Sequence, residues 1–114
     1  MTTTTTVRRE VDLPGAPGEV WAALSEPERL AARFGAEAAG EFGPGGRLMF
    51  RWPDGSRRDA TIEEWEPERR LAFRWAPFDR ALDGRTRRMP PTRVRFELQP
   101  APGGTHLEVR EEAA

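Results

Sequence analysis

The sequence predicts an α+β fold: a curved antiparallel sheet with two short helices after its first strand. Two observations carry this. Five segments alternate apolar and polar residues, each with its large side chains on one parity: Leu48/Phe50/Trp52, Ala60/Ile62, Leu71/Phe73/Trp75, Val94/Phe96/Leu98 and Leu107/Val109. Such alternation marks half-buried antiparallel strands with one wet face. Ahead of them lie two short stretches of helical pattern, each opened by a proline, Pro17 and Pro27. Proline suits the first turn of a helix, where its missing N–H costs nothing.

The elements follow in order. Thr2–Thr6 is a polar leader, expected to fray, and residues 7–114 form one domain. Val7–Leu13 alternates as a first strand and is broken by Pro14-Gly15-Ala16-Pro17-Gly18. A helix from Pro17 to about Leu24 turns Val20, Trp21 and Leu24 inward, with Glu19 favourable in its first turn. Ser25-Glu26-Pro27-Glu28 reads as a capping box opening a second helix, whose inward residues are Leu30 and Phe34 and whose end is Gly35. Ala36–Phe42 is a weak strand before the turn Gly43-Pro44-Gly45-Gly46. Strands Arg47–Trp52, Arg57–Trp65 and Arg70–Trp75 are joined by turns at Pro53-Asp54-Gly55 and Glu66-Pro67-Glu68. The arginine-rich stretch Pro77–Pro91, containing Asp83-Gly84, reads as a long hairpin loop. Thr92–Gln99 and Thr105–Arg110 close the sheet around Pro100–Gly104.

Pro17-Gly18-Glu19-Val20-Trp21-Ala22-Ala23-Leu24, then Pro27-Glu28-Arg29-Leu30 and Phe34-Gly35, resembles the opening of the START/Bet v 1-like (SRPBCC) superfamily. Within it the chain is similar to homologues of the activator of heat-shock-protein ATPase. Pro44-Gly45-Gly46 before Leu48/Phe50/Trp52, and Glu64 through Leu71/Phe73/Trp75, continue the likeness, which runs from Val7 to Arg110. The resemblance implies a helix-grip fold, in which a long C-terminal helix walls a ligand cavity. The sequence reaches Ala114 without that helix. The expectation is therefore a concave aromatic face left uncovered, to be closed by a ligand, a second copy in a homodimer, a partner protein or collapse.

Composition narrows the functional classes. With 114 residues and 37% hydrophobic residues the chain makes one domain. Net charge is −1, so no global field attracts nucleic acid or an acidic membrane. Cysteine is absent, which removes disulfides, thiolate catalysis and zinc–thiolate sites. The start lacks the basic and apolar regions of a signal peptide, and a cytoplasmic location is the default expectation. All 18 basic residues are arginine, scattered among 19 acids. That scatter fits coding bias and a solvated surface better than phosphate recognition.

Candidate chemistry is sparse. His106, the one histidine, points to the wet face by alternation. With no ligand spacing around it, neither a metal nor a catalytic residue is expected. Ser25 and Ser56 are explained by a cap and a turn. Glu64 is aimed at the concave face by strict alternation, but Trp65 should be inward too. A bulge at Glu63–Glu64 resolves the conflict and leaves Glu64 outside. Arg80, Arg85, Arg87 and Arg88 lie in the long loop without stacking aromatics beyond Phe78, and nucleic-acid binding is not expected.

The expected function is non-catalytic binding of a hydrophobic, amphipathic or lipid-like small molecule on the concave face, without a cofactor. Its expected lining is Phe34, Phe50, Trp52, Ile62, Phe73, Trp75, Val94 and Phe96. A concave apolar site with few polar groups is the usual form of a small-molecule pocket. As the resemblance implies, a protein–protein module using the same face is the alternative. A polyketide cyclase or dehydratase-like enzyme, as seen in the superfamily, would need an inward Glu64 as base.

Overall fold

The computed structural model describes the backbone of residues 6–80, 86–88 and 90–114, and the side chains of residues 6–76 and 90–114. Its elements are β1 (Val7–Leu13), α1 (Pro17–Ser25), α2 (Pro27–Arg33), β2 (Glu37–Gly40), β3 (Arg47–Arg51), β4 (Arg57–Glu66), β5 (Arg70–Arg80), β6 (Thr86–Arg88), β7 (Thr92–Ala101) and β8 (Gly104–Ala113). The strands form one antiparallel path, β1-β8-β7-β5-β4-β3-β2, with β6 paired to β5 beside it. The chain thus folds as the predicted α+β helix-grip architecture.

Three local readings change. The capping box does not form: α2 is capped by the backbone of Glu26, with no side-chain bond. With Pro27 at the first helical position there is one orphan N–H fewer to satisfy, and Ser25 ends α1 instead. The stretch 77–91 is not all loop. The backbone of β5 runs on to Arg80 and pairs with β6, Phe78 opposite Arg88. The partner strand Thr86–Arg88 holds no apolar residue, so nothing in it marks a strand period. The side chains of Phe78, Arg80, Arg85, Arg87 and Arg88 lie outside the described residues. Finally, β8 continues past Arg110 to Ala113, pairing Thr92 with Ala113.

The core lies between the concave face and the helix pair. Val20 and Leu24 of α1 and Leu30 and Ala31 of α2 meet Leu48, Phe50, Ala60, Ile62, Leu71, Phe73, Trp75, Val94, Phe96, Leu98 and Leu107 in one cluster. Phe50 and Phe73 are fully buried; each contributes roughly 1.5–3 kcal/mol by leaving water. Two bonds fasten the layers. Buried Thr105 donates its hydroxyl to the Gly15 carbonyl at 2.8 Å, fixing the turn between β1 and α1. The Trp52 indole N–H donates to the Phe34 carbonyl at 2.8 Å, tying the C-terminus of α2 to the end of β3. Gly35, at φ +70°, provides the left-handed residue that lets the chain leave α2.

The convex face is a charge mosaic. The register sets Arg95 opposite Arg110 and Arg110 opposite Arg8, while Glu97, Glu108 and Glu10 form the next row. Like charges directly opposite each other are unfavourable. Opposite-charge contacts offset this: Arg8–Glu108 at 3.2 Å on the diagonal, Arg110–Glu108 at 2.7 Å along β8, and the directly opposed Arg70–Glu97 at 3.3 Å. The same charges line β1, an edge strand, and discourage pairing with another sheet.

Candidate functional site on the concave face

The sheet register builds the concave face in rows. Phe73 pairs with Ile62 on one side and Val94 on the other, and Val94 pairs with Glu111. Trp75 pairs with Ala60 and Thr92. Phe50 pairs with Arg58. All of these side chains share one face because directly opposed residues in antiparallel strands point the same way.

The eight expected lining residues therefore come together, but not as an uncovered surface. Phe50 and Phe73 have no exposure, and Ile62, Trp75, Val94 and Phe96 retain only 2–3%. The reason is curvature with aromatic self-packing. Phe73 meets Trp75 at 5.0 Å, Phe50 at 5.9 Å and Phe96 at 6.3 Å between ring centroids. Phe50 meets Trp75 edge-on at 5.4 Å, a favoured geometry for aromatic pairs. Leu24, Leu30 and Ala31 of the helices fill what remains. Six of the eight are core. Phe34 and Trp52 are half-buried and form the rim.

At this rim the face turns polar. The Trp75 indole N–H points to Thr92 Oγ1 at 2.9 Å and to Glu111 Oε2 at 3.0 Å, and the Thr92 hydroxyl donates to the same Oε2 at 2.8 Å. Above the ring of Trp75, 4.4 Å from its centroid, lies the Arg58 guanidinium, which also sits 5.5 Å from the Trp52 centroid. Phe34 completes the cluster, 5.3 Å from Trp75. A cation held over two indoles is stabilised by their negative ring faces. A half-buried carboxylate anchored by two donors has a fixed orientation.

Neither Arg58 nor Glu111 was singled out from sequence, yet the signal existed. Arg58 has the parity of Ala60 and Ile62, and Glu111 that of Leu107 and Val109. Alternation reports direction for polar residues as well as apolar ones.

The other candidates sit away from this rim. The β4 register shifts between Ile62 and Glu64, so the bulge exists and Glu64 faces outward. There Glu64 accepts from Arg95 at 3.1 Å and lies 3.6 Å from Arg70. His106 is on the convex side, its Nδ1 2.7 Å from Asp12 Oδ1 and its Nε2 3.6 Å from Glu10. The hydrogen bond with Asp12 is the main cause holding the imidazole pKa above its ordinary value, against a smaller opposing effect of burial. Ser56 is the expected turn residue, donating its N–H and hydroxyl to Asp54 Oδ1.

Among the described residues, two cavities flank the sheet. One of about 820 Å³ lies on the convex side between Arg47, Thr61, Arg74 and Pro90-Pro91. The other, of about 430 Å³, is bounded by Gly35, Ala36, Glu37, Arg51, Trp52, Pro53 and Gly55. The second borders the rim through Trp52.

A family model described as Activator of Hsp90 ATPase homolog 1-like protein matches residues 15–114. The chain belongs to this family. The sequence resemblance and the helix-grip sheet agree with it, and the chain is an SRPBCC domain of that kind. No curated protein matches the chain. Among solved structures, it is similar to protein MLL2253 from Mesorhizobium loti: 24% identity, TM-score 0.78, covering 96% of this chain and 77% of that one. It is also similar to DynU16, a protein of the dynemicin biosynthetic locus, with 28% identity and TM-score 0.75 over 95% of this chain and 37% of that one. CalU16 from Micromonospora echinospora has 24% identity and TM-score 0.71, over 96% and 61% of the two chains. Among the described residues, no helix of this family member is long and apolar enough to cross a membrane.

Proposed function

We propose that the domain binds an apolar or amphipathic small molecule at the rim of the concave face, where Phe34 and Trp52, beside the buried ring of Trp75, meet Arg58, Thr92 and Glu111. The observation that supports this is the half-buried aromatic rim carrying a fixed carboxylate and a stacked cation beside a cavity. Mostly apolar walls with a few placed polar groups suit a ligand of this kind. The likeness to a protein of a biosynthetic locus is in keeping with a small-molecule ligand. The core aromatics Phe50, Phe73 and Phe96 act as the floor beneath the rim. Glu64, the base that an enzymatic reading required, faces the other way.

The test is titration of the chain with N-phenyl-1-naphthylamine, a neutral apolar dye that brightens when it leaves water. Trp52→Ala should weaken binding by about tenfold, since burying an aromatic is worth ~1.4 kcal/mol or more at a well-packed contact. Trp21→Ala, at the far end of the helix pair against Trp65, serves as the control. Equal weakening by both variants, or no binding at all, would count against the rim.

A second reading rests on Val7 and Val11. They project from β1 on the concave side and are 48% and 45% exposed, beside half-buried Leu13 and Val109. An apolar strip on a sheet wing fits a protein partner, in keeping with the family description of an activator of another protein, or a second copy. Solution mass by light scattering at several concentrations separates the two: a dimer lost in Val11→Glu supports this wing as the interface.

A further inference from the structure

Arg58 differs from the sheet arginines that sit in ion pairs by what its guanidinium lies against. Arg8, Arg70, Arg93, Arg95 and Arg110 each lie against a carboxylate. Arg58 is half-buried, and its contacts are two indole faces. It pairs with no carboxylate among the described residues, although Glu111 touches the same Trp75 side chain. Glu111 approaches the N–H edge of that indole, whereas Arg58 lies over its ring. The two form no ion pair, and Glu111 is already engaged with two donors.

Cation–π stacking leaves the edge of a guanidinium, with its N–H donors, free to meet a second partner. The planar fork of those donors matches a carboxylate or sulfonate. The partly desolvated surroundings strengthen any such pairing relative to water. We propose that the rim selects anionic amphiphiles: an apolar body against Phe34 and Trp52, and a monoanionic head on Arg58. This rests on the concave-rim reading above and adds to it the charge of the ligand.

Two dyes that differ by one sulfonate separate the claims. 1-Anilinonaphthalene-8-sulfonate is the anionic counterpart of neutral N-phenyl-1-naphthylamine. Both are titrated against wild type, Arg58→Gln and Arg58→Lys, with thermal melting of each variant to establish that it is folded. The expectation is that wild type favours the anionic dye. Arg58→Gln loses about tenfold or more in affinity for it, the scale of a hydrogen bond to a charged group, and loses distinctly less for the neutral dye, so that the preference for the anionic dye disappears. Arg58→Lys retains part of the preference, because it keeps charge without the planar fork. Glu111→Gln, which removes the nearby negative charge, raises affinity for the anionic dye. Equal loss of both dyes in Arg58→Gln would overturn the proposal and leave the rim reading standing. Binding of neither dye to wild type would overturn both.

Discussion

The Trp75 indole N–H lies 3.0 Å from Glu111 Oε2, joining β5 to β8 across the intervening strand β7. The bond sets the polar end of an otherwise apolar face. Removing the carboxylate should cost about 1–3 kcal/mol, the range for hydrogen bonds to a charged group. Glu111→Gln keeps an acceptor and should cost less than Glu111→Ala. Urea denaturation followed by tryptophan fluorescence measures both. Equal losses would mean that the carboxylate packs there without its bonds mattering.

Core and rim should separate in a truncation pair. Phe73 is fully buried and touches three other rings; Phe73→Ala should cost about 3–5 kcal/mol. Phe34 is half-buried, and Phe34→Ala should cost well under half of that. Denaturant midpoints of the two variants test the division. Comparable losses would make Phe34 core rather than a surface available to a ligand.

Stability should fall as pH rises through neutrality on account of His106. Its pKa in the folded chain is raised, chiefly by the hydrogen bond with Asp12. The imidazolium is therefore held more tightly folded than unfolded. The stabilisation is complete below the unfolded value of about 6.5 and is lost as pH climbs through the folded value. Melting temperatures above pH ~6 should decline more in wild type than in His106→Gln or Asp12→Asn. Parallel profiles would remove His106 from the pH response.

The convex ion pairs should differ with burial. Arg8 is 53% exposed in its side chain, and Arg8→Ala should leave stability almost unchanged. Arg95 is half-buried with its Nε out of reach of water, and its loss leaves Glu64 facing only Arg70 at 3.6 Å. Arg95→Ala should therefore cost more than Arg8→Ala, and added salt should narrow the gap less than it weakens the Arg8 pairs. Chemical denaturation at low and high salt checks the order.

Much of this architecture could be read from alternation. Phe50, Phe73, Phe96 and Trp75 were expected inward and are buried there. The bulge that turns Glu64 out follows from Trp65 having to point in. What alternation cannot report is curvature: whether rings on neighbouring strands stand apart as a cavity or close on one another. That depends on three-dimensional bending, and here they close. Arg58 is legible by parity but hidden by its polarity, because an apolar pattern marks only the apolar positions of a face, and Glu111 lies past Arg110, where the apolar alternation of β8 stops. The β5–β6 pairing left no trace, since backbone hydrogen bonds need no apolar side chains.

The chain has four tryptophans, and they divide by position: Trp52 at the rim with the buried Trp75 6.2 Å from it, Trp21 and Trp65 in edge-on contact at the opposite end. The most direct test is the set of indole N–H resonances in a 15N-labelled sample during titration with N-phenyl-1-naphthylamine. The prediction is that the Trp52 and Trp75 signals move saturably while those of Trp21 and Trp65 hold still. Movement of Trp21 and Trp65 alone, or of none of the four, would contradict binding at the rim.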